Sequence, residues 1–151
     1  MISKYELFST SVACLYRDIQ KIERMEMARF GLKGPHAQCL LVMKRHCEGV
    51  TSAQLCELCE KDKAAISRTV AELEEAGLVQ RSEKNGVRYR AVLHLTEKGF
   101  AAAEAVSLQA TKAVEQAGAG LNDEQRTVFY SVLGIISENL HTLCKTGLKE
   151  R

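Results

Sequence analysis

TSAQLCELCEKDKAAISRTVAELEEAGLVQRSEKNGVRYRAVLHLTEKG, residues 51–99, is the stretch on which the fold turns. Thr51 and Ser52 are strong N-cap residues whose side-chain oxygens can satisfy free backbone N–H groups, and Ala53, Leu55, Leu58 and Cys59 then recur at helical spacing. Asp62 offers a second N-cap. After it Ile66, Val70 and Leu73 fall on one side of a helix that stops at Gly77, glycine being the residue that best tolerates a left-handed helix end. The other side carries Ala64, Ser67, Arg68 and Ala71. Side chains that small let a helix backbone approach a base-pair surface, and the Arg68 guanidinium has the fork of donors that matches guanine in the major groove. The second helix is therefore the candidate recognition helix.

The residues that follow separate a bare helix-turn-helix from a winged one. Leu78-Val79-Gln80-Arg81 suits a strand, Asn85-Gly86 is a strong hairpin turn signal, and Arg90 to Leu95 alternates, with Ala91, Leu93 and Leu95 facing one way. Lys84, Asn85, Arg88 and Arg90 cluster at the tip and outer edge of this hairpin, where long cationic side chains can reach a phosphate or a minor groove.

At these residues the chain resembles the MarR family of transcriptional regulators. Asp62-Lys63-Ala64-Ala65-Ile66-Ser67-Arg68 is similar to the Asp-Lys-Ser-Thr-Val-Thr-Arg that opens the family's recognition helix. Leu73-Glu74-Glu75-Ala76-Gly77-Leu78-Val79-Gln80-Arg81 resembles its Leu-Glu-x-x-Gly-Leu-Val-x-Arg, and Leu95-Thr96-Glu97-Lys98-Gly99 its Leu-Thr-x-x-Gly. The resemblance implies DNA contacts from Thr51, Ser52, Gln54, Lys63, Ala64, Ala65, Ser67 and Arg68, and from Lys84, Arg88 and Arg90 on the wing. One departure stands out: Val87 and Tyr89 occupy the places of the family's wing Asp-x-Arg pair, so Arg88 and Arg90 are one residue out of step.

Working outward, Phe8, Val12, Leu15, Ile19 and Ile22 step by four and three along a first long helix that ends before Gly31 and Gly34. Pro35 suits the first turn of the next helix, which carries Leu40, Leu41 and Met43, with Lys44, Arg45 and His46 as a solvated end. Beyond Gly99 the chain is rich in alanine as far as Gly118-Ala119-Gly120. Asn122 with Gln125 forms a capping-box pattern before a last helix whose apolar face holds Phe129, Val132, Leu133, Ile136, Leu140 and Leu143. These end helices carry more apolar stripe than a small reading head can cover, which predicts packing on a second copy. The expected fold class is mainly α with a small β-hairpin (α+β), a winged helix-turn-helix core flanked by long dimerisation helices. One MarR-like domain would span 1–151, with 1–34 and 100–146 as the helical dimerisation region and 35–99 as the DNA-binding region.

Size and charge bound the function without choosing it. The 151 residues, 46% hydrophobic and 26% charged, suit a globular domain able to bury a core. The net charge of +2 is too small to indicate nucleic acid, and residues 51–99 carry eight acidic against eight basic side chains, so the electrostatic case rests on placement. No apolar run is long enough to cross a bilayer and the first residues lack a signal peptide's hydrophobic stretch, so a cytoplasmic location is expected.

The six cysteines (Cys14, Cys39, Cys47, Cys56, Cys59, Cys144) are then expected to be free thiols, mostly small buried apolar groups. Cys14 is the candidate redox sensor, because the peroxide-sensing branch of the family places its reactive cysteine in the first helix, although a buried structural role is the stronger expectation. Cys56 and Cys59 have CxxC spacing but no completing ligands, and His36, His46, His94 and His141 are scattered, so no metal, cofactor or catalytic group is expected. The expected partners are double-stranded DNA with an inverted-repeat operator, a second copy of the chain, and a small effector, with no membrane. The expected activity is a homodimeric repressor released by a ligand or oxidant. Alternatives are a thiol protein using Cys56 and Cys59, or a winged helix that binds protein.

Overall fold

A computed structural model describes residues 3–82 and 91–148. The element order is α1 (Lys4–Arg29), α2 (Gly34–Arg45), α3 (Ser52–Cys59), α4 (Lys63–Glu75), β1 (Val79–Ser82), β2 (Val92–Leu95), α5 (Glu97–Ala117) and α6 (Asp123–Thr146). Two compact units divide the chain, Met1–Ala113 and Val114–Arg151.

Local chemistry starts and stops these helices. The Asp62 carboxylate accepts from the Ala65 N–H at 2.8 Å to cap α4, and Thr51 and Gln54 exchange reciprocal capping bonds at the start of α3. Ser52 is thus the first helical residue of α3 and Thr51 alone is its cap. Gly77, at φ +73, lets the chain turn out of α4. Pro35 sits in the first turn of α2, and Asn122 with Gln125 closes the expected capping box on α6.

The first unit's core lies where α2, α3 and α4 meet the strands. Leu40, Leu55, Ile66, Val70, Leu73, Leu78 and Leu93 are all buried, joined by Met27 from α1 and by Ala102, Ala103 and Val106 from α5. The strands pair antiparallel with Val79 opposite Leu95 and Ser82 opposite Val92. Ala91 and Leu93 are buried and Leu95 packs against the core, so the alternation expected from the sequence holds. The strand itself begins at Val92, after Ala91. Val50 adds a short third rung, exchanging backbone hydrogen bonds with Leu93 at 2.7 and 3.0 Å.

Several side chains depart from their expected places. Leu58 is 45% exposed rather than core: α3 is eight residues long and covers its buried face with Leu55 and Cys59 alone. Cys14 is exposed rather than buried, because α1 buries only Met27. All six cysteines are free, as expected, but only Cys39 and Cys59 are buried; Cys47 and Cys144 are exposed like Cys14, so the expectation that most are buried is not met. In the second unit α6 buries none of its residues, and Phe129, Val132, Leu133 and Leu140 are exposed.

Candidate nucleic-acid interface

The outer face of α4 follows from the burial of its inner one. With Ile66, Val70 and Leu73 locked into the core, the 3.6-residue period turns Lys63, Ala64, Ser67, Arg68 and Ala71 outward, and all five are exposed. Ala65, Thr51 and Ser52 are half-buried at the edge of this face and Gln54 is exposed on α3. The Gln54 carboxamide oxygen is engaged with the Thr51 N–H at 2.8 Å, so a DNA contact by Gln54 oxygen competes with its capping role. Lys84, Arg88 and Arg90 fall outside the described residues.

The far end of α4 is fastened to α5. Thr96 Oγ1 donates to the Gly77 carbonyl at 2.7 Å and accepts from the Gly99 N–H at 3.0 Å, while the Thr96 N–H donates to the Leu78 carbonyl. The Lys98 ammonium donates to the Ala76 carbonyl at 3.1 Å. A Cβ on Gly99 would stand 1.9 Å from the Leu78 carbonyl oxygen, so only glycine allows α5 to start this close to the exit of α4. The Leu-Thr-x-x-Gly segment is thereby a clamp that makes the position of α4 depend on α5.

Two further ties hold α4 in place, and neither was foreseen. His36 on α2 is buried, with Nδ1 accepting from the Lys33 N–H at 2.8 Å and Nε2 donating to the Glu72 carboxylate at 2.6 Å. Its place in the first turn of α2, where a side chain can reach back to the cap, was the one available signal. Arg81 on β1 forks onto Glu74 at 2.7 and 3.2 Å. The acidic end of the helix is therefore occupied internally, and the cations Lys63 and Arg68 lie toward its free end. Lys44, expected to be solvated, pairs with Glu104 of α5 at 2.5 Å.

Beside this head, a cleft of about 390 Å³ lies between α1 and α2, lined by Tyr16, Gln20, Glu23, Arg24, Gln38, Leu41, Arg45 and, from the α3–α4 turn, Lys61. Burial pushes the Glu23 carboxyl above the usual carboxylate range. Close to the cleft, Gln38 donates to the Cys59 carbonyl at 3.2 Å and the Cys39 and Cys59 sulfurs touch at 3.9 Å in the core. The alternative reading rested on Cys56 and Cys59 for their CxxC spacing; the sulfur contact of Cys59 is with Cys39. Among the described residues no group of three or more His, Cys, Asp or Glu side chains could hold a metal ion. Nor is any described helix long and apolar enough to cross a membrane.

Residues 30–86 match the model of the MarR family. No curated protein matches the sequence. Among solved structures, the chain is similar to a MarR transcriptional regulator from Methanosarcina mazei Go1, 22% identical with 93% of this chain and 94% of that chain covered at a TM-score of 0.81. A Staphylococcus aureus MarR in complex with salicylate and kanamycin is 20% identical over 91% and 93% of the two chains, with a TM-score of 0.77. A MarR-family transcriptional regulator from Listeria monocytogenes, complexed with a 26mer DNA, is 20% identical over 94% and 96%, with a TM-score of 0.74. Residues 30–86 thus match the MarR family model, and the described part of the chain has the fold of the solved MarR-family regulators it is similar to.

Proposed function

We propose that the protein is a sequence-specific regulator of transcription that binds double-stranded DNA as a homodimer and acts as a repressor at an inverted-repeat operator. The observation that carries this reading is the outward face of α4, where Lys63, Ala64, Ser67 and Arg68 stand exposed on a helix fixed at its other end by four neighbours. Small residues allow close approach and Arg68 supplies bidentate readout of guanine. The DNA complex of the Listeria relative supports the same use of this fold. Two copies related by a two-fold axis would set their recognition helices about 34 Å apart, one turn of the duplex. Residues 1–34 and 100–146 are the proposed source of that pairing, through the exposed apolar faces of α1 and α6.

Release is proposed to come from a small ligand. A ligand that binds one arrangement of the heads better than another shifts the equilibrium by its differential affinity. The cleft between α1 and α2, which holds Arg24, Arg45 and Lys61, is the proposed effector site, and the salicylate complex of the Staphylococcus relative supports a small organic anion as the class of effector. A cytoplasmic location fits this work.

The deciding experiment is selection of bound sequences from random duplex DNA with the reduced protein, followed by titration of Arg68→Ala on the enriched site. An inverted repeat is expected, and loss of the guanidinium costs about 1–3 kcal/mol while relaxing preference at one base pair. Failure of the reduced protein to retard any duplex at modest ionic strength sinks the reading.

A further inference from the structure

The Cys39–Cys59 contact has no role in DNA reading, yet its geometry is specific. Cys39 lies on α2 and Cys59 is the last residue of α3, and their side chains are 0% and 2% exposed. The sulfurs stand 3.9 Å apart, against about 2.04 Å in a disulfide, so a bond needs a small change of rotamer and a helix shift below about 2 Å. The thiols are also unequal. The hydrogen bond from Cys39 and the nearby cations Lys61 and Arg45 pull the Cys59 thiol down, while that hydrogen bond and burial hold Cys39 up in its neutral form. Lys61 and Arg45 both line the cleft. The chain leaves α3 through Glu60 at φ +52, the one non-glycine residue with positive φ among the described residues.

We propose that Cys39 and Cys59 are a dithiol switch, closed by hydrogen peroxide into a disulfide between α2 and α3 that lowers the affinity of the head for DNA. The regulatory half rests on the function proposed above. In the first step the Cys59 thiolate attacks one peroxide oxygen. The O–O bond breaks, and the departing hydroxide takes up the proton Cys59 had released and leaves as water. The Cys59 sulfenic acid is then attacked by the Cys39 sulfur; the S–O bond breaks and the hydroxyl leaves as water with the Cys39 proton. Two thiols and one peroxide become one disulfide and two waters, with sulfur oxidised and peroxide oxygen reduced. Because both side chains are buried, peroxide gains access through local opening, and the reaction is slower than at an exposed thiolate. Closing the bond draws the end of α3 toward α2. The same short helix begins at Thr51 and Ser52, beside the outward face of α4, so the shift misplaces the reading surface.

The test uses the full chain with Cys14, Cys47, Cys56 and Cys144 replaced by serine, leaving only the proposed pair. Treatment with hydrogen peroxide is expected to take free thiols from two to none, to lower the mass of a single chain by two hydrogens, and to yield one peptide pair joining Cys39 to Cys59. A further Cys39→Ala change stops the cross-link. DNA affinity of the oxidised protein falls at least tenfold and returns with dithiothreitol. A protein that remains folded by circular dichroism with both thiols free after peroxide overturns the proposal, as does a disulfide between two chains or a cross-link without effect on affinity. If the reduced protein binds no DNA while the intrachain disulfide still forms, the regulator reading fails and takes the switch with it, leaving only the thiol chemistry.

Discussion

The reading head and the last helix are built on opposite terms. Between Ala37 and Leu93 the chain closes a core in which Leu40, Leu55, Ile66, Leu73, Leu78 and Leu93 are out of reach of solvent. On α6 nothing is buried, although Phe129, Val132, Leu133 and Leu140 recur on one face. The head's apolar surface is satisfied within one chain, whereas α6 carries a stripe that water disfavours and that a single chain leaves open. The stability of the first depends on its own packing. That of the second, in the proposed homodimer, depends on protein concentration.

The largest expected effect tests the head's side of this contrast. Leu73→Ala removes three heavy atoms from a fully buried site and should cost about 2–5 kcal/mol in denaturant unfolding, independent of protein concentration. The matching change on α6, Val132→Asp with Leu133→Asp, should leave the head's cooperative unfolding in place while converting the proposed dimer to monomer in sedimentation. If the double variant stays dimeric at micromolar concentration, the stripe on α6 is not what holds two copies together and the contrast breaks.

A smaller effect sharpens the role of the clamp. Gly99→Ala forces a Cβ against the Leu78 carbonyl, and the overpacking should cost about 1–3 kcal/mol. Because the displaced segment is the exit of α4, DNA affinity should weaken as well, even though Gly99 itself is buried away from the outward face. Asp62→Ala removes the cap at the opposite end of α4 and should cost about 1 kcal/mol, read as a fall in unfolding midpoint that Asp62→Asn largely restores.

What could be read from the chain alone was what is local to it. The caps at Thr51, Asp62 and Asn122 and the stop at Gly77 depend on neighbours three or four residues away, and all four occur. The outward face of α4 was legible for the same reason, since three buried positions fix the other side of a helix. Leu58 was misread because periodicity does not say how many of a short helix's apolar residues the core has room for. Cys39 meets Cys59 across twenty residues and His36 meets Glu72 across thirty-six, and only the packing of α2 on α3 and α4 brings them together. The motif at Leu95–Gly99 was visible as a pattern, but its cause, a helix start pressed against a carbonyl, is a tertiary fact.

The smallest predicted effect concerns the acidic end of α4. Arg81 holds Glu74 by two hydrogen bonds at a site where both side chains keep about a third of their exposure, so solvent and salt screen the pair. Glu74→Gln should therefore lower stability by no more than about 1 kcal/mol, less at high ionic strength, because surface pairs rarely exceed that even in forked geometry. Its consequence for the contrast is one of placement. Arg81 and His36 occupy Glu74 and Glu72 from within the head, so an uncharged residue at position 74 frees Arg81 without uncovering core. A loss well above 1 kcal/mol that persists in high salt would mean that the head relies on this ion pair as it does on Leu73, and that its stability is less a matter of apolar packing than the buried core implies.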